Sequence, residues 1–88
     1  MKTKRPGHHL ATVSHDGRFW DVYLEVDEPE HRGDSARGRL AFSAADDDDG
    51  HAVRTAVIFI EPSQDEVLRR ARQFETHQLV GLLRSVLG

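Results

Sequence analysis

An aspartate–glycine pair, Asp16-Gly17, separates two runs of alternating apolar and polar residues, and it constrains the fold more than any other feature of the chain. Asp-Gly is the preferred sequence of the two-residue type I′ turn, whose twist matches that of paired antiparallel strands. We therefore predict a hairpin of strands at 10–15 and 18–26. The turn sets the pairs Val13 with Trp20, Ala11 with Val22, and His9 with Leu24.

A second pair of alternating runs, at 37–45 and 52–61, predicts another antiparallel hairpin, joined across an acidic turn at 46–49. The last strand is apolar on both faces, which is typical of a central strand or of one covered twice. The segment 27–35 is rich in turn formers and predicts a mobile surface loop between the hairpins. The predicted core side of the second hairpin holds Leu40, Phe42, Ala44, Val53, Val57 and Phe59.

The C-terminal third carries a helix signal. Ser63 followed by Glu66 has the pattern of a capped N-terminus, so we predict a single helix of about 22–25 residues that starts at 63 or 64. Gly81 is the predicted position of any bend. Glu75 interrupts the apolar stripe, and we interpret it as a boundary residue that reaches solvent or Arg72. The stripe consists of Val67, Leu68, Ala71, Phe74, Leu79, Leu82 and Val86.

Together these elements predict one α+β domain: a four-stranded antiparallel sheet (two hairpins) with one C-terminal helix packed on one face (ββββα). A chain of 88 residues has room for one modest core. We assign the domain to residues 8–88 and a flexible basic tail to residues 1–7. One helix covers only one face of a sheet. Trp20 and Phe42 should lie under it, and the other face must meet water or a partner.

The uncovered face is the candidate interaction surface. Its predicted members are Leu10, Phe19, Tyr23, Arg39, Arg54, Ile58 and Ile60. Contiguous apolar patches on soluble proteins mark interaction sites. Packing of two sheets, or of two helices with an edge strand exchanged, would cover such a patch in a homodimer; alternatively, the apolar residues are scattered singly between charges. We predict a small interaction or regulatory module, homodimeric, whose partner is itself or another protein.

Single-stranded nucleic acid is the alternative partner. The two aromatic residues and two arginines of this face could form stacking platforms flanked by guanidinium groups, as on sheets that bind single strands. The order of four strands and then a helix is similar to that of the Whirly type of single-strand-binding domain, a likeness of outline that transfers no motif residue. Asp21 and Glu25 share the face and would repel phosphate, and the net charge is −3. Nucleic acid is therefore the less favoured partner.

No enzymatic, metal or cofactor signature is present in the sequence. The chain has no cysteine, which excludes thiol nucleophiles and disulfides, and its six histidines lack the spacing of metal ligands. A calcium-loop alignment of the acidic turn places Ala45 and Ala56 where carboxylates are required. Ser14-His15-Asp16 contains triad residue types, but consecutive residues at a hairpin tip do not form a triad. We predict a non-enzyme without catalytic, cofactor or metal residues, and leave open weak cation binding at 46–49.

The location is predicted from hydropathy. No apolar run is long enough to cross a bilayer, and the basic N-terminus is followed by His8-His9-Leu10 rather than by the apolar segment of a signal peptide. The sequence therefore predicts a cytoplasmic protein without a membrane partner.

Overall fold

Antiparallel strands and two C-terminal helices make up the described part of the chain. A computed structural model describes residues 7–27, 33–46 and 52–88, so most of the predicted tail, the 27–35 loop and the acidic turn lie outside it. The α+β class and the antiparallel sheet are confirmed, whereas the single helix is wrong. The elements are β1 (His8–His15), β2 (Arg18–Asp27), β3 (Ala36–Ala44), β4 (Ala52–Arg54), β5 (Phe59–Glu61), α1 (Gln64–Arg72) and α2 (Thr76–Leu87).

The first hairpin closes at Asp16-Gly17, as the sequence predicts. Both residues have a positive φ, 59° for Asp16 and 79° for Gly17, as a type I′ turn requires. Beyond the turn, Val13 lies opposite Trp20, and Ala11 lies opposite Val22. The Asp-Gly turn therefore sets the register of β1 against β2.

A β-bulge at Leu10 breaks that register near the start of β1. The pairing shifts between His9 and Ala11, so that His9 lies opposite Tyr23 rather than Leu24. A bulge adds one residue to one strand, which reverses the alternation of its side chains. Leu10 packs against the core instead of lying on the uncovered face. The predicted positions of His9 and Leu10 were wrong for this one reason.

The predicted last strand is divided in two. The sheet order is β1-β2-β3-β4, and β5 pairs with the same edge of β3 as β4 does. Residues 55–58 leave the ladder, where the Oγ1 atom of Thr55 accepts a hydrogen bond from the backbone N–H of Leu40 at 3.1 Å. The same hydroxyl donates to the Ala56 carbonyl at 2.7 Å. The last strand is thus a broken edge strand, not the continuous central or twice-covered strand that its composition indicates.

The predicted helix is also divided. Ser63 caps α1, since its Oγ accepts a hydrogen bond from the Glu66 backbone N–H at 3.2 Å. The break falls at 73–75, where the Gln78 side chain accepts a hydrogen bond from the Glu75 backbone N–H at 2.8 Å and so begins α2. Glu75 is exposed, as predicted. Gly81 lies inside α2, so it does not cause the break.

Both helices cover the same face of the sheet. α1 packs over β2, β3 and β5, and α2 contacts β1 and β4. Trp20 and Phe42 lie in this core, as predicted, and Leu83 joins it because the helix break changes the phase of the apolar stripe. Val57, predicted to be core, is 37% exposed. The buried side chains are Val13, Trp20, Val22, Leu24, Ala36, Leu40, Phe42, Ala44, Phe59, Val67, Ala71, Leu79 and Leu83.

Candidate interaction face

The sheet surface opposite the helices, called the helix-free face below, is defined by the strand register. All of its members except Ala41 are at least partly exposed. Its members are His9, Thr12 and Ser14 of β1, Phe19, Asp21, Tyr23, Glu25 and Asp27 of β2, Arg37, Arg39, Ala41 and Ser43 of β3, Ala52 and Arg54 of β4, and Ile60 of β5.

An ion pair between β4 and β2 crosses the middle of this face. The Arg54 Nε donates to both carboxylate oxygens of Glu25, at 2.9 and 3.2 Å. That hydrogen bond, and then the charge of Glu25, raise the pKa of Arg54. Ala41 of the intervening strand lies between Arg54 and Tyr23 in the register and is only 1% exposed. The large flanking side chains therefore bury the small residue between them.

The second predicted arginine of the face is paired as well. The Arg39 Nη2 donates to Asp27 at 2.9 Å. In the register Arg39 lies opposite Glu25, so the acids of β2 face the arginines of β3 and β4. Both arginines assigned to the candidate surface are thus held by carboxylates of the same face.

A polar cluster near β1 was not predicted. The Nε2 atom of His9 lies 3.1 Å from an Asp21 oxygen, and the Thr12 hydroxyl donates to that oxygen at 2.8 Å. The rings of His9 and Tyr23 meet edge to face, with centroids 5.2 Å apart. Only the bulge at Leu10 brings His9 to this position, and alternation alone gives no signal for a bulge. Among the described residues, no group of three potential ligands could hold a metal ion.

The exposed apolar side chains of the face do not form one patch. Phe19 is 64% exposed and Ile60 is 61% exposed. Ile60 pairs with Arg37, and Arg37 pairs with Asp27 at the end of β2. Phe19 lies near the start of the same strand. At about 3.4 Å per residue, the eight-residue separation along β2 corresponds to roughly 27 Å. The ion pairs lie between them, so the arrangement corresponds to the second alternative given above, apolar residues scattered singly between charges, and not to a contiguous patch.

Ile58 differs from the other predicted members because it lies in the break at 55–58. It is 41% exposed and neighbours the 37%-exposed Val57. Its backbone N–H donates to the Gly38 carbonyl at 3.0 Å, which ties the break to β3. Ile58 thus belongs to the outer boundary of the sheet that runs from residue 52 to residue 61, called the β4–β5 edge below.

Comparison with known proteins gives no relative to which a role could be traced. No protein-family model matches this chain, and neither the curated proteins nor the solved structures contain a significant match. Neither α1 nor α2 has the length and apolar content that crossing a membrane requires.

Proposed function

We propose that this protein is a small interaction or regulatory module that acts as a homodimer and presents the helix-free face to a protein partner. One observation carries the proposal: neither α1 nor α2, the helices of the described residues, covers this face, and its two central arginines, Arg39 and Arg54, are already paired with carboxylates. Surfaces that bind phosphate need cations in excess. Interspersed charges with arginine and tyrosine among them fit contact with a protein better.

The aromatic residues of the face supply anchor points for such a contact. Phe19 projects into solvent, whereas Tyr23 is half-buried and held by the His9 ring. Tyrosine and arginine are enriched among the residues that dominate binding energy at protein interfaces. Because the ion pairs already fix several side chains, little additional ordering would accompany binding.

Self-association is the first test. Light scattering coupled to size-exclusion chromatography, from micromolar to millimolar protein, should show a rise from the mass of one chain to that of two. A mass of one chain at every concentration would contradict the homodimer.

The absence of cysteine fits a reducing compartment, so we keep the cytoplasm as the proposed location.

Nucleic-acid binding is tested separately. Fluorescence anisotropy of labelled single-stranded DNA and RNA at low salt should stay constant as the protein is added. A rise that Tyr23→Ala with Arg54→Ala abolishes, and that the helix variant Arg69→Ala leaves intact, would replace our proposal with the alternative. Low salt makes this test strict, because electrostatic binding is strongest there.

A further inference from the structure

The turn of the first hairpin joins two residues that can react with each other. An aspartyl side chain closes a ring when the backbone nitrogen of the next residue reaches its carboxyl carbon, and glycine obstructs this approach least because it has no Cβ. Asp16 and Gly17 are both exposed. In the described part of the chain, only Gly17 and its two neighbours lie within 4 Å of the position of an added Cβ. The junction is therefore open to water.

The nucleophile of such a ring closure is the Gly17 backbone nitrogen, and it lies outside the sheet ladder. The pairing of β1 with β2 ends at His15 opposite Arg18, so the amides of the two-residue turn lie beyond the last pair. The break in the β4–β5 edge differs, because there the backbone N–H groups of Thr55 and Ile58 donate to carbonyls of β3 at 2.9 and 3.0 Å. Pairing in the sheet thus leaves the Gly17 nitrogen accessible.

The electrophile is the carboxyl carbon of Asp16. Arg18, the arginine that follows the turn, donates to Asp46 at 2.9 Å and lies over the Trp20 ring. Asp16 forms no ion pair with any residue that the structure describes. It is also the only described residue other than glycine with a positive φ, which aspartate tolerates. The residue types that favour the type I′ turn are therefore also the types that react.

We propose that Asp16-Gly17 is a site of spontaneous covalent modification, at which Asp16 becomes isoaspartate through a cyclic imide. The Gly17 nitrogen attacks the protonated side-chain carboxyl of Asp16; a nitrogen–carbon bond forms, and the hydroxyl leaves with the amide proton as water. Water then adds to the backbone carbonyl carbon of Asp16, and the bond from that carbon to the Gly17 nitrogen breaks. The product contains the same atoms at the same oxidation level, but the main chain now runs through the side chain.

The product does not fit the turn. Isoaspartate inserts its Cβ into the main chain, whereas the type I′ turn depends on two consecutive α-residues with φ values of 59° and 79°. The length of this loop sets the register of β1 against β2. That register places His9 beside Tyr23 on the helix-free face. Modification should therefore misalign β1 against β2, and it requires neither a dimer nor a partner.

Incubation of the full chain at mildly acidic pH, below its melting temperature, tests the modification. Trypsin cleaves after Arg18 and so separates Asp16 from Asp21, and electron-transfer mass spectrometry distinguishes isoaspartate from aspartate in each peptide. Isoaspartate should accumulate at position 16 by about tenfold or more over position 21, because Val22 is β-branched and lies within the ladder. Equal accumulation at the two positions, or none at position 16, would overturn the proposal.

Asp16→Gly is the matched control for the effect on the fold. Gly-Gly also forms the type I′ turn, and the variant has no carboxyl group at position 16. The other Asp-Gly pair, Asp49-Gly50, is present in both chains, so a difference between them reports position 16 alone. During incubation the native chain should lose melting temperature and Asp16→Gly should lose less. Equal losses, with isoaspartate present at position 16, would overturn the predicted effect on the register.

Asp16→Asn tests the ring closure without dependence on a protonated carboxyl. Asn-Gly keeps the turn, and the same attack then releases ammonia in place of water. The variant should form isoaspartate about tenfold faster than the native chain or more, with the mass gain that conversion of an amide to an acid gives. A folded Asp16→Asn chain whose mass and linkage stay unchanged would show that the Gly17 nitrogen does not reach the side chain, and would overturn the proposal.

Discussion

The two edges of the sheet differ in composition and in how they are held. β1 is an eight-residue strand with polar Thr12 and Ser14 on its exposed side and a bulge at Leu10. The opposite edge consists of two three-residue strands, and the Thr55 hydroxyl substitutes for a backbone partner between them. The longer edge is suited to water, and the shorter one is apolar. Composition therefore distinguishes the two edges better than length does.

The largest expected difference between the edges is in core packing. Phe59 is 5% exposed, and its ring meets that of Phe74 edge to face at 5.5 Å. Phe59→Ala should lower the free energy of unfolding by about 3–5 kcal/mol, and Val13→Ala on β1 by about 2 kcal/mol. Urea denaturation measures both. Equal losses would mean that the two edges are anchored to the core alike.

The next effect is at the strand break. Thr55→Val leaves the Leu40 N–H without its acceptor and should lower the free energy of unfolding by about 1–3 kcal/mol. The same replacement on β1, Thr12→Val, leaves its partner, the Asp21 carboxylate, exposed to water. It should change the free energy of unfolding by no more than about 0.5 kcal/mol. Chemical denaturation measures both variants. A Thr55→Val loss as small as that of Thr12→Val would show that the hydroxyl is not needed to hold the break.

A smaller effect concerns the polar contacts that tie each edge to β2. Both side chains of the Arg54–Glu25 pair are partly exposed, so a double-mutant cycle with Arg54→Met and Glu25→Gln should give a coupling of about 0.5 kcal/mol. The coupling should decrease at high salt, because screening weakens exposed ion pairs. The control cycle, Thr12→Val with Asp21→Asn, should depend little on salt since Thr12 is uncharged. Salt-independent coupling at Arg54 would contradict an ionic contact.

The smallest effect is at the hairpin end of β1, where Arg18 follows the turn. The hydrogen bond from Arg18, and then its charge, lower the pKa of Asp46 below the ordinary value of 3.8. The contact stabilises the folded state fully at pH values above the pKa of Asp46 in the unfolded chain. This stabilisation is lost as the pH falls through the lower pKa of Asp46 in the folded state. NMR titration should show that Arg18→Gln raises the pKa of Asp46. An unchanged midpoint would mean that the 2.9 Å contact is not maintained in solution.

The sequence predicts features that depend on local chemistry. Asp16-Gly17 permits the positive φ values of its turn, and the Ser63 hydroxyl caps the first helix. The start of α2 also had a local signal, because the Gln78 side chain reaches back to Glu75 in the manner of a capping box. Glutamate is not among the preferred N-cap residues, so the apolar stripe suggested one continuous helix.

Two irregularities of the sheet could not be predicted from alternation. Between Gly38 and Ala41 the chain of β3 advances three residues, while its partners Phe59 and Arg54 are five residues apart. The break thus adds two residues to the 54–59 segment. Because two is an even number, side chains before and after the break keep the same alternation between the two faces, and the sequence pattern shows no change. The single extra residue at Leu10 reverses parity, but it lies too near the strand end to leave a visible pattern. Leu10 and Ile58 were both predicted on the candidate face. The structure instead packs Leu10 against the core and places Ile58 in the break of the edge strand.

The Leu10 bulge has a consequence for mutational scanning of β1. In the residues after it, odd positions such as Val13 face the helices and even positions such as Thr12 face away. Before it, the rule is inverted, since His9 faces away from the helices. Tolerance to charged substitutions should therefore oscillate with a period of two and change phase at residue 10, and deletion of Leu10 should restore a single phase along the whole strand.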